Sequence, residues 1–395
     1  MMWNNEVIIM KFLYFLLCLF LLSGCRSQEP VPTVPPATTV LPTVAEPVQT
    51  SEAATIPPET TPPDPIRDIL DGMSLEERVG QLFLARCDSN YALEHIEQYH
   101  LGGFVLFGRD FRGLNPDSFR EKAAAYQAAS KIPLLLAVDE EGGTVTRVSN
   151  LPDYRETRFA SSRQLYTGGG MEWVLYEESQ KCELLKGLGL NVNLAPVVDI
   201  ATDRSAFMYD RSLGQDAAVT ADFAANMVTL MNSYSLGSCM KHFPGYGNNP
   251  DTHTGIAIDS RPLAELREND LIPFASGIAA GADAVLVSHT IAECFDPDFP
   301  ASLSPAVHEY LRKEMGFEGV ILTDDLVMEA ITDTYGAGEA AVLAVLAGND
   351  LLCSTEYGIQ YEAVLAAVLD GRIDIDTLNN AVRHVLQWKM DLGLL

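Results

Sequence analysis

From Pro65 to Leu395 short apolar runs alternate with amphipathic stretches, and this alternation constrains the fold more than any other feature of the chain. The runs read as strands are 81–85, 104–107, 134–138, 191–198, 238–242, 284–288, 320–324 and 350–353. Between them helical patterns are read over 117–130, 173–187, 217–233, 263–281, 304–315 and 337–347, and two closing helices over 359–369 and 376–390. Some eight strand–helix units in roughly 330 residues predict a (β/α)8 barrel, an α/β fold in one catalytic domain. The alternative is a doubly wound open sheet. Against it, neither GxGxxG nor GxxxxGK[ST] follows any of these runs, so the usual phosphate cradles of open sheets are missing.

In a barrel the chemistry collects at the C-terminal ends of the strands. Those ends read Phe107-Gly108-Arg109-Asp110, Val138-Asp139-Glu140-Glu141-Gly142-Gly143, Lys241-His242-Phe243-Pro244-Gly245, Ser288-His289 and Leu322-Thr323-Asp324-Asp325. Polar and titratable groups recurring at one end of the barrel point to a reaction or a polar ligand. Composition removes other classes. Apolar residues make up 47% of the chain, enough for a core, and 54 acidic against 26 basic residues give a net charge of −28. A field of that sign excludes nucleic acid as a bulk electrostatic partner. Seven cysteines are scattered without a CxxC pair or a Cys/His cluster, so neither a disulfide scaffold nor a metal centre is indicated.

The beginning of the chain is an address. Residues 12–22 read FLYFLLCLFLL after Lys11, too short to span a bilayer and suited to the apolar region of a secretory signal. Leu22-Ser23-Gly24-Cys25 follows and resembles the lipobox of bacterial lipoproteins, which implies lipidation of Cys25. Residues 26–66 hold eleven of the 22 prolines and cannot pack a core. Extended at about 3.1 Å per residue they would reach on the order of 130 Å. The expected organisation is a signal over 1–24, a lipidated cysteine and linker over 25–66, and a catalytic barrel over 67–395. The protein is then extracytoplasmic and anchored to the bacterial membrane. Five dispersed cysteines besides Cys25 in the mature chain read as buried thiols.

Two segments carry a specific resemblance, KHFPGYGNNPDTH over 241–253 and GVILTDDLVM over 319–328. With GGFVLFGRD, LLLAVDEEGGTVTRV and NVNLAPVVDI in support, the chain resembles the family 3 glycoside hydrolases. Within them it is similar to the β-N-acetylglucosaminidases of cell-wall recycling. The resemblance runs from Met73 through Leu394. It implies a retaining exo-β-N-acetylglucosaminidase, a β-N-acetylhexosaminidase acting on GlcNAc-ended, peptidoglycan-derived fragments, with no cofactor and no metal.

The resemblance also implies roles. Asp324 corresponds to the family's nucleophile, a carboxylate able to form a glycosyl ester; Asp325 is its rival, and neighbours on an extended strand point opposite ways. Asp251-Thr252-His253 matches the branch's loop dyad, with His253 as general acid/base and Asp251 orienting it. An imidazole titrates near neutrality and a neighbouring carboxylate favours its protonated form. Asp139, Arg147, Arg211, Lys241 and His242 correspond to sugar-holding positions. His289 reads equally as a site residue or a strand cap, and Gly168-Gly169-Gly170 as a flexible loop.

The chain departs from the family pattern at Tyr246, where His is frequent, at Thr144, where Arg is common, and in a dyad loop one residue shorter. Three other readings stay open on sequence: a β-glucosidase or xylosidase of the same family, a GlcNAc phosphorylase, and a non-catalytic sugar-binding lipoprotein. Aglycone preference and oligomeric state are not encoded legibly.

Overall fold

The computed structural model describes residues 64–249, 251, 252 and 255–395. The signal, Cys25, almost all of the proline-rich stretch and His253 lie outside the described residues.

Eight parallel strands form the sheet: β1 Phe83–Arg86, β2 Gly103–Leu106, β3 Leu135–Val138, β4 Val192–Asn193, β5 Gly237–Phe243, β6 Ala284–Val287, β7 Val320–Thr323 and β8 Leu352–Ser354. Their spatial order follows their sequence order, and β8 returns to pair with β1, Phe83 opposite Leu352. A single bridge between Leu322 and Leu351 joins β7 to β8, so the ring is nearly closed. An open doubly wound sheet would reverse strand order at a switch point; this one never does, and the fold is the (β/α)8 barrel.

The strands are apolar on both faces because both are covered. Leu84, Val105, Leu135, Ala137, Val192, Cys239, Ala284, Leu286, Val320 and Leu322 form one buried cluster, the barrel interior. Phe83, Phe104, Leu136 and Val138 alternate with them and pack in a second cluster with the helices. The last helix, Ile375–Asp391, contributes Val385 and Trp388 to the interior cluster, and Leu392 follows them. The same helix buries Lys389 completely; its Nζ donates to Gln81 Oε1 at 2.6 Å. Burial pushes that amine down to about 7.

Helix boundaries differ from the sequence reading where local signals competed. The stretch 263–281 divides into Leu263–Glu268 and Leu271–Ala279. The stretch 304–315 passes from Pro305–Glu309 into a wider π-type turn, Tyr310–Glu314. The three glycines 168–170 are not a loop. They fall inside Ser162–Gly187, started by a Ser161/Gln164 capping box and broken at Gly169 and Gly170. Trp173 lies where a Cβ on Gly168 or Gly169 would stand, at 2.9 and 2.1 Å, so the absence of side chains there makes room for the ring. Short helices at Pro65–Asp71, Leu75–Gln81, Ala92–Tyr99, Gly108–Phe111 and Glu329–Tyr335 complete the covering. The five described cysteines are all unbridged. Among the described residues no helix is long and apolar enough to cross a membrane.

Candidate active site

The alternation that fills the barrel also builds its mouth. Two residues beyond Leu84, Val105, Ala137, Cys239, Leu322 and Leu351 stand Arg86, Phe107, Asp139, Lys241, Asp324 and Cys353. Period two keeps them on the inward side, and all six line one cavity of about 640 Å³. Arg147, Arg211, His242 and Asp251 line it too. Of the sequence-predicted residues, seven therefore come together and the eighth, His253, is outside the described residues.

The two adjacent aspartates both line the cavity, but their carboxylates are engaged differently. Asp324 carries the inward register of Leu322. Its Oδ1 accepts the Asp325 N–H at 2.8 Å. The Asp325 carboxylate is taken up by the following turns, accepting Thr355 N–H at 3.1 Å, Thr355 Oγ1–H at 2.5 Å and Val327 N–H at 3.2 Å. Burial raises the Asp325 carboxyl in spite of those bonds. His289 stands behind this pair, fully buried, with Nε2 3.0 Å from the Asp325 carbonyl and Nδ1 2.7 Å from Ser302 Oγ. It is not among the residues that line the cavity.

The floor is a lattice of opposite charges. Lys241 Nζ lies 2.7 Å from Asp139 Oδ1 and 2.7 Å from Glu141 Oε1. Arg211 grips Glu141 with two parallel bonds of 2.9 and 2.7 Å, the fork geometry suited to carboxylates. Burial alone would raise the Glu141 carboxyl, but the charges of Arg211 and Lys241 outweigh it and hold it well below the usual carboxylate range. Burial likewise opposes charge on Lys241, yet Asp139 and Glu141 push its amine up to about 12. Glu141, Lys241 and Arg211 therefore all carry their charges at neutral pH. Arg147 approaches Asp139 more loosely, at 3.9 Å.

Several functional neighbours have no counterpart in the sequence reading. Asp199, with a fully buried side chain, accepts His242 Nδ1–H at 2.7 Å, the His242 N–H at 3.1 Å and the Tyr246 N–H at 2.7 Å. These bonds fix the imidazole and leave Nε2 toward Arg211, at 3.4 Å. Glu140, also fully buried, accepts the N–H groups of Arg147, Val148 and Ser149 at 2.7, 2.8 and 3.2 Å. That carboxylate folds the chain back so that Arg147 returns to the cavity. The return needs Gly142: its φ is +101°, and a Cβ there would stand 2.2 Å from the Ala160 carbonyl oxygen, so no side chain is admitted. Arg86 and Arg147 both stack on Phe107, their guanidinium carbons 4.5 and 5.4 Å from the ring centroid. Lys241 and His242 both reach the cavity because the register slips between Lys241 and Phe243.

The comparisons with known proteins agree with this geometry. Residues 74–388 match the glycosyl hydrolase family 3 N terminal domain. The chain belongs to glycosyl hydrolase family 3. Among family 3 relatives, a β-hexosaminidase of Stenotrophomonas maltophilia (strain K279a) is 37% identical over 292 residues, covering 69% of this chain and 84% of that one. A β-hexosaminidase of Xylella fastidiosa (strain M12) is 35% identical over 267 residues, covering 65% and 77%. A solved family 3 β-N-acetylglucosaminidase from Paenibacillus sp. str. FPU-7 superposes with a TM-score of 0.77 at 32% identity. It covers 82% of this chain, which spans 63% of that chain's length. A β-N-acetylhexosaminidase from Beutenbergia cavernae DSM 12333 gives 0.72 at 29% identity, covering 80% and 99%.

Proposed function

We propose that this family 3 protein is a retaining exo-β-N-acetylglucosaminidase that removes terminal β-linked GlcNAc. The observation that carries the reading is the position of Asp324. It directly follows β7 in the inward register and shares one cavity with the Asp139–Lys241–Glu141–Arg211 lattice and with Asp251 of the Asp-Thr-His loop. The β-hexosaminidase and β-N-acetylglucosaminidase relatives support it.

In the first step an Asp324 oxygen forms a bond to the anomeric carbon while the bond to the leaving oxygen breaks. His253 gives that oxygen its proton. In the second step water attacks the anomeric carbon, His253 takes the water's proton, and the bond to Asp324 breaks, restoring the carboxylate. Asp139, Lys241, Arg211, Arg147 and His242 hold the sugar hydroxyls; charged partners give directional bonds to vicinal hydroxyls. We place the enzyme outside the cytoplasm, tethered through a lipid on Cys25, with GlcNAc-ended peptidoglycan fragments as substrates.

Replacing Asp324 by Asn removes the nucleophile. Turnover of aryl β-GlcNAc should vanish, and a 2-deoxy-2-fluoro glycoside should label Asp324 in the wild type. Labelling at Asp325 or Asp139 would refute the assignment. The same assay with inorganic phosphate present tests water as the acceptor: a sugar 1-phosphate product would replace hydrolysis by phosphorolysis.

A further inference from the structure

Tyr246 is buried, and each of its polar groups has a partner. Its N–H donates to Asp199 Oδ1 at 2.7 Å, while the other oxygen of Asp199 accepts the His242 ring at 2.7 Å. At the far end of the same side chain the phenol donates to Thr252 Oγ1 at 3.1 Å and accepts the Thr252 N–H at 2.8 Å. The ring lies between these ends, edge-on to His242 at 5.7 Å and against Phe207 at 5.5 Å. Thr252 is itself buried, so its N–H has no water to fall back on.

We propose that Tyr246 is a positioning residue for the proposed acid/base step: its phenol holds Thr252, and with it Asp251 of the dyad, in register with Asp199 and His242. The inference rests on the reading of His253 given above. Two hydrogen bonds fix both the place and the orientation of the Thr252 peptide. Consecutive Cα atoms are about 3.8 Å apart, so Asp251, the residue before it, inherits a fixed origin. Asp251 lines the cavity. The chain then runs without a gap from the dyad loop through Tyr246, Asp199, His242, Arg211 and Glu141 to Lys241. The phenol can play this part because it stays protonated: burial pushes it up to about 12. It also fits the departure of this sequence from the family pattern, since tyrosine and a shortened loop occur together here.

Tyr246→Phe deletes only the hydroxyl and keeps the ring and the bond to Asp199. The test compares kcat/KM on two substrates in wild type, Tyr246→Phe, Thr252→Val and His253→Ala. One is N,N′-diacetylchitobiose, whose leaving oxygen needs a proton; the other is 2,4-dinitrophenyl β-GlcNAc, whose phenolate does not. Since general acid catalysis is worth about 10²–10⁴-fold and a small misplacement about 10²-fold, Tyr246→Phe should lose about 10- to 100-fold on the disaccharide. On the aryl substrate it should stay within about threefold of wild type, and inhibition by free GlcNAc should be unchanged. Thr252→Val, which keeps the N–H bond, should show the same bias more weakly and keeps the test available if the phenylalanine variant fails to fold. Equal losses on both substrates, or a weakened GlcNAc inhibition, would overturn the positioning role while a biased His253→Ala left the acid/base reading standing. A His253→Ala variant without leaving-group bias would remove that reading, and this inference with it.

Discussion

Replacing Lys389 by Met should make the stability of the protein change differently with pH. The amine is fully buried at the N-terminal end of the barrel, with one hydrogen bond, to Gln81 Oε1. Its ordinary value of 10.5 falls to about 7 because burial penalises the charged form. The sign follows from proton counting. Between pH 7 and 10.5 the unfolded chain holds a proton on this residue that the folded chain lacks, so its contribution to stability rises with pH. Below pH 7 both states are protonated and the full penalty applies. At about 1.4 kcal/mol per pH unit, that penalty is on the order of 5 kcal/mol at pH 5 and 2 kcal/mol at pH 9. Methionine carries no such term but leaves Gln81 Oε1 without its donor, a cost of about 1–3 kcal/mol at every pH. The variant should therefore be the more stable protein at pH 5, and its advantage should shrink by roughly 3 kcal/mol on going to pH 9. Urea unfolding of both proteins at pH 5, 7 and 9 measures this directly. A stability difference that is flat across the three pH values would refute the argument, because the amine would then keep its ordinary titration in the fold.

Two further outcomes are expected. Lys241→Met leaves Asp139 and Glu141 with one cation fewer in a buried cluster and should destabilise the protein by about 3–5 kcal/mol; urea unfolding showing less than about 1 kcal/mol would mean the cluster relaxes or admits water. Cys25→Ser should release the protein from membranes with kcat/KM on aryl β-GlcNAc unchanged; a variant still membrane-bound after salt and carbonate washing would end the lipid-anchor proposal.

Strand–helix alternation was legible because barrel strands, covered on both faces, stay apolar from end to end. The site was legible for the same reason. Where apolar runs stop, the first polar residues in the inward register must face the mouth, as Asp139, Lys241 and Asp324 do. The same inward register also reaches Arg86, Phe107 and Cys353, to which the sequence reading gave no role. Asp199 and Glu140 escaped for another reason. Their work is to accept backbone N–H groups of loops whose paths are set by tertiary packing, and nothing in VVDI or VDEEGG distinguishes a carboxylate facing a sugar from one facing a peptide. The short helices escaped because a segment of seven or eight residues holds too few turns to show a period. At Gly168–Gly170 composition suggested a loop; instead Trp173 packs at Gly168 and Gly169, and a break at Gly169 and Gly170 joins two helical stretches.

Val385, Trp388 and Leu392 close the barrel at its base. The result is a cup rather than a tube, with Asp139, Lys241 and Asp324 at its lip. A cup is filled and emptied through one opening. In the proposed reaction the terminal sugar goes in first, so the remainder of the glycan stands between it and solvent and has to leave before water can reach the glycosyl ester. Order of departure is thus set by architecture: aglycone first, sugar second, and a free sugar lodged in the cup bars the next chain end.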